Sequence, residues 1–442
     1  MIKLPEQVNK AICLLKNSGF EAYAVGGAVR DCLLGKVPFD WDITTSARPE
    51  ETEKVFCGER IIETGIKHGT VTVIIDDMPL EITTYRIDGD YTDHRHPQTV
   101  SFSDNLRDDL SRRDFTINTL CCNCDDKIID AFGGKDDLNN KIIRCVGDPD
   151  TRFSEDALRI MRAVRFSAEL GFTIEKSTSD SILKNRQLLS DVSKERLQVE
   201  FTKLITGKYA TDVIRKYHAV IEVFIPELAP LVECEQHTKY HKYDVFEHTL
   251  HAVDAIDFND RILRLTMFFH DFGKPDAKTT DENGTSHFKD HAVISEKKTR
   301  DILKRLKFDN NTINEVSKLV LIHDMKSPRD KIQAKKMMCS LGEETYLNLI
   351  KIKRADNMAK ADPHAIDEKL KNMRSFYEEI KINNECYNLK ALAVNGDDIK
   401  AFGITEGKEI KNSLDFLLKG VIEGKCQNRK DELLEYLKEN TK

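Results

Sequence analysis

Two aspartates flank the only tryptophan of the chain in the stretch FDWDITT, residues 39–45. In an extended strand, residues i and i+2 face the same way, so Asp40 and Asp42 are expected to project together while Trp41 packs on the far side. Two carboxylates on one face repel unless a cation lies between them, and Mg2+, a hard ion that takes oxygen ligands, suits the pair. Upstream, VGGAVRD (25–31) reads as a strand end, a glycine turn and a helix start. Gly26-Gly27 would bring backbone N–H groups to a phosphate without interference from a Cβ, and Arg30 would add a charge-assisted contact. A phosphate cradle beside paired carboxylates is the outline of a nucleotidyl-transfer site.

A second set of chemically able residues lies between 241 and 362: His248, His270-Asp271, His291, His323 and Asp356. Helices carrying them could converge on one or two metal ions. Mixed imidazole and carboxylate donors suit a transition metal such as Mn2+, Fe2+, Ni2+ or Zn2+. A third set is basic. Arg159, Arg162 and Arg165 recur at a helical spacing of three after Arg152, with Asp156 three residues before Arg159. On one helix face, Asp156 and Arg159 would offer an acceptor beside a donor. Cytosine and adenine present an amino donor beside a ring-nitrogen acceptor and match that edge; uracil and guanine reverse it. Two mismatched buried groups at about 1–3 kcal/mol each would discriminate on the order of a hundredfold or more.

The elements that must hold these residues are of two kinds. Residues 5–17 have the apolar spacing of an amphipathic helix, AYAV and FDWDITT read as strands, and 68–86 reads as a hairpin turning at Asp77-Met78-Pro79. From about residue 150 helical patterns follow one another almost without strand signals. The chain of 442 residues is too long for one core. Its eleven cysteines, odd in number and without disulfide-like spacing, point to a reducing compartment and the cytosol; no apolar run reaches the length of a membrane span. The net charge of −7 argues against indiscriminate coating of nucleic acid but leaves room for a local basic patch.

GGAVRD, DWD with the following ITT, RRDFTIN, FGGKDDL and EDALRIMR occur in the order found in class II tRNA nucleotidyltransferases, and about residues 20–205 closely resemble that family. The family belongs to the polymerase-β-like superfamily, beside bacterial poly(A) polymerases. The resemblance implies an α+β protein: a small mixed-sheet nucleotidyltransferase head (1–140), a helical neck and start of the body that binds nucleotide and RNA (141–235), a helical body (236–362) and a helical tail that grips tRNA (363–442). It implies Mg2+ on Asp40 and Asp42, nucleotide contacts from Gly27, Arg30 and Arg113, and neck contacts from Asp156, Arg159, Arg162 and Arg165. Trp41 departs from the aliphatic residue usual there, and Glu81 is a candidate third carboxylate although an exposed strand position fits it better. The function implied is addition of C, C and A to the tRNA 3′ end from CTP and ATP without a template.

His270-Asp271 followed by Gly273-Lys274 resembles the HD phosphohydrolase superfamily. That resemblance implies a metal-dependent phosphohydrolase-like domain over 236–362 that holds a transition metal; repair of the same RNA end is the role expected of it. The segment Asp88–Pro97 resembles the long loop of enzymes that add the terminal A, and Gly403 and Gly407 flank a turn resembling a helix–hairpin–helix contact to a phosphate backbone. The alternatives are a poly(A) polymerase, a CC-only or A-only enzyme, and a nucleotide phosphohydrolase whose head merely binds RNA.

Overall fold

The computed structural model describes residues 2–63, 65–66, 69–89, 99–125, 127–238 and 240–440. The chain divides into two compact units, one made of 1–229 with 305–307 and the other of 230–304 with 308–442.

The first unit opens with the helix Glu6–Asn17, which buries Val8, Ala11, Ile12 and Leu15 at the i, i+3, i+4, i+7 spacing expected of one helical face. Its strands are β1 (Ala22–Val25), β2 (Asp42–Thr45), β3 (Arg60–Ile62), β4 (Thr70–Ile75), β5 (Met78–Thr84), β6 (Arg86–Asp88), β7 (Val100–Phe102), β8 (Cys121–Cys122) and β9 (Ile128–Ile129). Seven of them form one sheet in the order β3-β4-β5-β2-β1-β8-β9. β2 runs parallel to β5 and antiparallel to β1, so the sheet is mixed. β6 and β7 pair separately. Burial alternates along β4, with Val71, Val73 and Ile75 facing the core, as a half-buried strand requires.

Three local expectations need correction. The hairpin turns at Asp76-Asp77, both at positive φ (46° and 63°), and not at Asp77-Met78-Pro79; Ile75 then pairs directly with Met78. A two-residue turn with both central residues left-handed matches the twist of the strands it joins. β2 begins at Asp42, leaving Asp40 and Trp41 just outside it. The helical part is not free of strands: Ile142–Ile143 pairs with Thr173–Ile174, and Thr279–Thr280 pairs with Ser286–His287. Most of the 88–97 loop, from residue 90 on, lies outside the described residues.

The rest of the first unit is helical: Pro149–Glu155, Leu158–Leu170, Lys176–Asn185, Lys194–Ile205 and Ala210–Ile221. The second unit is built from helices that include Val245–Asp254, Arg261–Phe269, His291–Arg305, Asn310–Ile322, Glu343–Met358 and Asp367–Ile382. Near its end Asn395 caps the helix Gly396–Ala401 through a reciprocal pair of bonds with Asp398, and the helix Gly407–Ile422 follows. These two helices share an apolar core with Leu433 and Leu437. All eleven cysteines are free, and among the described residues no helix is long and apolar enough to cross a membrane.

Candidate functional site

The register of the sheet assembles the head site. Val25, the last residue of β1, pairs with Asp42, the first of β2, and Asp42 pairs in turn with Glu81 on β5. The glycine turn leaves β1 at that point. Gly26 has φ +82°, and a Cβ on it would stand 3.3 Å from Arg113 Nη1 and 3.7 Å from Asp42 Oδ2. The glycine requirement therefore falls on Gly26, whereas a Cβ on Gly27 would meet only Arg30 Nη2, at an ordinary 3.8 Å. Trp41 is buried as expected, at 6 % exposure.

Asp42 presents an open face to solvent, yet protein crowds it from behind. Desolvation raises its carboxyl to about 6; Glu81 and Asp40 add to the rise, and Arg113 opposes it. Glu81, left open by the sequence, thus stands on the strand beside Asp42 and repels it. Arg113 is held by Asp109 (Nη2 to Oδ2, 3.4 Å), a fully buried carboxylate that also accepts from Thr44 Oγ1 (2.9 Å) and Arg112 Nη2 (2.6 Å).

Arg30 is buried and committed: it donates to Asn118 Oδ1 (2.8 Å) and to Asp31. Asn118 donates to Asp114 Oδ1 (2.9 Å), and Asp114 Oδ2 accepts from Arg162 (2.8 Å). Burial alone would raise Asp114, but Arg162 and the Asn118 amide outweigh it and hold the carboxyl down at about 2. Arg30, Arg162 and Arg165 all lie over the Phe166 ring, 4.8, 5.3 and 3.9 Å from its centroid. Three guanidiniums thus surround one aromatic ring, each also paired with a carboxylate: Asp31, Asp114 and Glu200.

The neck departs from the expected single helix. Helix Pro149–Glu155 ends at Asp156, whose extended backbone (φ −135°, ψ 101°) breaks the run, and a new helix starts at Leu158. Asp156 and Arg159 therefore do not share one helical face. The Asp156 carboxylate accepts from the Leu158 N–H (3.1 Å), as a capping residue does, and from Arg196 Nη2 through both oxygens (3.1 and 2.9 Å). Arg159 is buried and donates to Glu155 (2.6 Å), to the Arg152 carbonyl and to the Arg112 carbonyl (2.6 Å). Arg165 Nε pairs with buried Glu200 at 2.6 Å.

Sequence reasoning missed Arg196, Glu200 and Asp109. Arg196 and Glu200 lie four apart on the amphipathic helix Lys194–Ile205, and a glutamate at a core-facing position was the available signal.

In the second unit the histidine–aspartate set converges. His248, His270 and Asp271 form one group able to hold an ion, and Asp271, His291 and His323 form another. Each imidazole turns Nδ1 to a backbone carbonyl: His248 to Ala359 (3.1 Å), His270 to Met267 (2.6 Å), His291 to Phe288 (2.8 Å) and His323 to Val320 (2.6 Å). Carbonyls only accept, so those nitrogens carry the protons and the Nε2 lone pairs face inward. They face one another, at 3.4 Å between His248 and His270 and 3.2 Å between His291 and His323.

Asp271 reaches both groups. Its Oδ2 lies 3.1 Å from His270 Nε2, and its Oδ1 lies 3.4 Å from His291 Nε2. Asp356 Oδ1 closes the first group, 3.0 Å from His248 Nε2. Lys274 and Lys360 contact Asp271 (2.7 Å) and Asp356 (2.6 Å). Gly273 lets the elements approach, since a Cβ there would come 2.4 Å from the His291 carbonyl oxygen. Bare imidazole nitrogens and carboxylates turned on one another are the donor set of a divalent cation, and the residues fit one.

Three family models match: the poly A polymerase head domain over residues 22–144, a probable RNA- and SrmB-binding site of polymerase A over 171–231, and a putative tRNA nucleotidyltransferase domain 2 over 279–437. The chain is 33 % identical to a CCA-adding enzyme of Bacillus velezensis, over 96 % of this chain and 95 % of that one. It is 33 % identical to one of Geobacillus kaustophilus over 99 % and 97 %. The crystal structure of the Bacillus stearothermophilus CCA-adding enzyme in complex with CTP superposes with a TM-score of 0.72 at 30 % identity, covering 99 % and 97 % of the chains. A Thermotoga maritima CCA-adding enzyme complexed with tRNA shares the fold at a TM-score of 0.63 and 21 % identity. The mixed-sheet head and helical body thus have the polymerase-β-like architecture of those proteins, and the chain belongs to the CCA-adding enzyme family of nucleotidyltransferases.

Proposed function

We propose that this protein adds C, C and A to the 3′ end of tRNA, using CTP and ATP and no nucleic-acid template. The observation that carries the reading is the segment Arg112–Asp114. It turns Arg113 toward Asp42 on one side, and on the other gives the Arg112 carbonyl to Arg159 and the Asp114 carboxylate to Arg162. A single short stretch thereby ties the paired carboxylates to the neck arginines.

Asp40 and Asp42 would hold Mg2+, which when bound supplies charge neutralisation at the triphosphate and Lewis acidity at the attacking 3′-hydroxyl. Gly26 and Gly27 leave room for the phosphates, Arg113 adds positive charge beside them, and Arg30, Arg162 and Arg165 surround the nucleotide. Asp156 accepts from the amino group of cytosine or adenine. Arg159 supplies the matching donor once it turns away from Glu155. In the resulting division, 1–140 is the catalytic head, 141–235 the nucleotide-binding neck, 236–362 the metal-binding body and 363–442 a tRNA-binding tail, in a cytosolic protein.

The test uses purified protein, tRNA ending at its discriminator base, CTP and ATP, read at nucleotide resolution. Growth that stops after three nucleotides is expected, and Asp40→Ala or Asp42→Ala abolishes it. Long tails from ATP alone would assign the chain to poly(A) synthesis.

The body supports a second activity. The inward-facing Nε2 atoms and the bridging position of Asp271 favour a dinuclear HD-type phosphohydrolase, with His248, His270, Asp271, His291, His323 and Asp356 holding a transition metal. Its task would be to remove a terminal or 2′,3′-cyclic phosphate so that a free 3′-hydroxyl can be extended. Release of phosphate from 2′-AMP or hydrolysis of cyclic nucleotides across a metal series tests it; no reaction with any metal would reduce the body to a scaffold.

A further inference from the structure

A cavity of about 490 Å3 adjoins the second of these metal groups at the backbone of His323, between the loop that begins at Asp324 and the helices Glu343–Met358 and Asp367–Ile382. Lys326, Arg329, Lys353 and Lys369 line it, against one carboxylate, Asp324. Lys326, Arg329 and Lys369 are exposed and, among the described residues, have no ion pair. Lys353 is only 7 % exposed; its Nζ donates to the His323 carbonyl (3.4 Å), and it precedes Asp356 by one turn on the same helix. No carboxylate contacts the Lys353 ammonium: burial lowers its pKa, and Asp324 and Asp356 act on it only from a distance. Such a group is costly unless an anion accompanies it.

We propose that this cavity binds the phosphodiester one nucleotide upstream of an RNA 3′ end whose terminal phosphate lies at the His291–His323–Asp271 group. The proposal rests on the phosphohydrolase reading of that centre and specifies its substrate as an RNA terminus in preference to a mononucleotide. Lysine and arginine supply the phosphate contacts, and the Asn372 amide at the cavity wall suits a ribose 2′-hydroxyl.

The test compares adenosine 2′,3′-cyclic phosphate with the dinucleotide that carries one further adenylyl residue on its 5′ side. Both are given to the full chain supplied with Mn2+. The dinucleotide is expected to have at least tenfold higher kcat/KM, carried by KM, and the double variant Lys326→Ala/Lys369→Ala to bring that ratio close to one. Equal kcat/KM values in the wild type would overturn the proposal. A second measurement is independent of catalysis: calorimetric binding of the 3′-phosphorylated dinucleotide to the chelator-treated protein should weaken at least tenfold in the double variant. If the wild type cleaves neither compound but the variant loses this binding, the hydrolytic reading fails and the phosphate pocket stands. Equal binding by wild type and variant removes the pocket whatever the hydrolysis shows.

Discussion

At Gly26 the backbone runs at φ +82°, and a side chain there would begin 3.3 Å from an Arg113 guanidinium nitrogen. Gly26→Ala therefore combines backbone strain of about 1–3 kcal/mol with displacement of the cation beside Asp42. Thermal unfolding should show that loss, and CMP incorporation should fall by roughly a hundredfold. Gly27→Ala, with no comparable contact, should leave the unfolding temperature close to the wild type. Equal effects of the two substitutions would dismiss the steric argument. Asp42 gives a pH prediction. Its carboxyl is raised to about 6 by desolvation, with Glu81 and Asp40 contributing, so the metal-free protein carries a proton there at pH 5 and none at pH 7. Mg2+ needs the ionised form, and its apparent affinity should weaken as pH falls through about 6. Because the folded value exceeds the unfolded one, this proton stabilises the metal-free fold as pH drops through the same window. Glu81→Gln removes a repelling charge and should move the midpoint of the Mg2+ pH profile downward; an unmoved midpoint would mean the two carboxylates do not sense one another.

The glycine turn and the buried side of Trp41 were legible in the sequence from local spacing. Strand alternation also predicted that Asp40 would project with Asp42, but Asp40 precedes β2, and what the structure shows between them is repulsion of the Asp42 carboxyl. The break at Asp156 was harder to see, since helical patterning runs from Arg152 before it to Arg159, Arg162 and Arg165 after it. What stops the helix is a side chain that caps the next one and is clamped by Arg196, forty positions away. Partners at that separation leave no local periodicity. Glu200 was hidden in the same way, because its meaning comes from Arg165 on another helix. Both members of that pair are buried, and Arg165 keeps Glu169 as a second carboxylate partner at 2.9 Å, so Glu200→Gln removes one of two compensating charges and should cost about 1–3 kcal/mol of stability. Chemical denaturation checks this against Glu200→Gln/Arg165→Met, in which the charge is also removed. A double variant no more stable than the single one would argue that the pair contributes packing and not charge compensation.

Over the whole chain, the order of motifs carried more information than composition did. The net charge of −7 gives no hint of a phosphate-binding protein, yet cations gather around Phe166 in one unit and around the cavity beside His323 in the other. The histidines suggested a metal site by residue type alone, but the two groups able to hold an ion depend on Asp271 standing between helices that are distant in sequence. Each centre is built from residues of its own unit, so metal binding and folding should couple separately in the two. A divalent ion at a hundred times its Kd stabilises the unit that holds it by about 2.7 kcal/mol. Adding Mn2+ to chelator-treated protein should raise the unfolding temperature of the second unit's transition. Asp271→Ala removes the carboxylate common to both groups and should abolish that rise, whereas Asp40→Ala/Asp42→Ala should retain it while losing CMP incorporation. The reverse pairing is the stricter check: Asp271→Ala should still extend tRNA when the primer already ends in a free 3′-hydroxyl, and should stall when the primer ends in a 2′,3′-cyclic phosphate. A variant that stalls on both primers would show that the metal centre of the body supports the fold of the enzyme and not a reaction of its own.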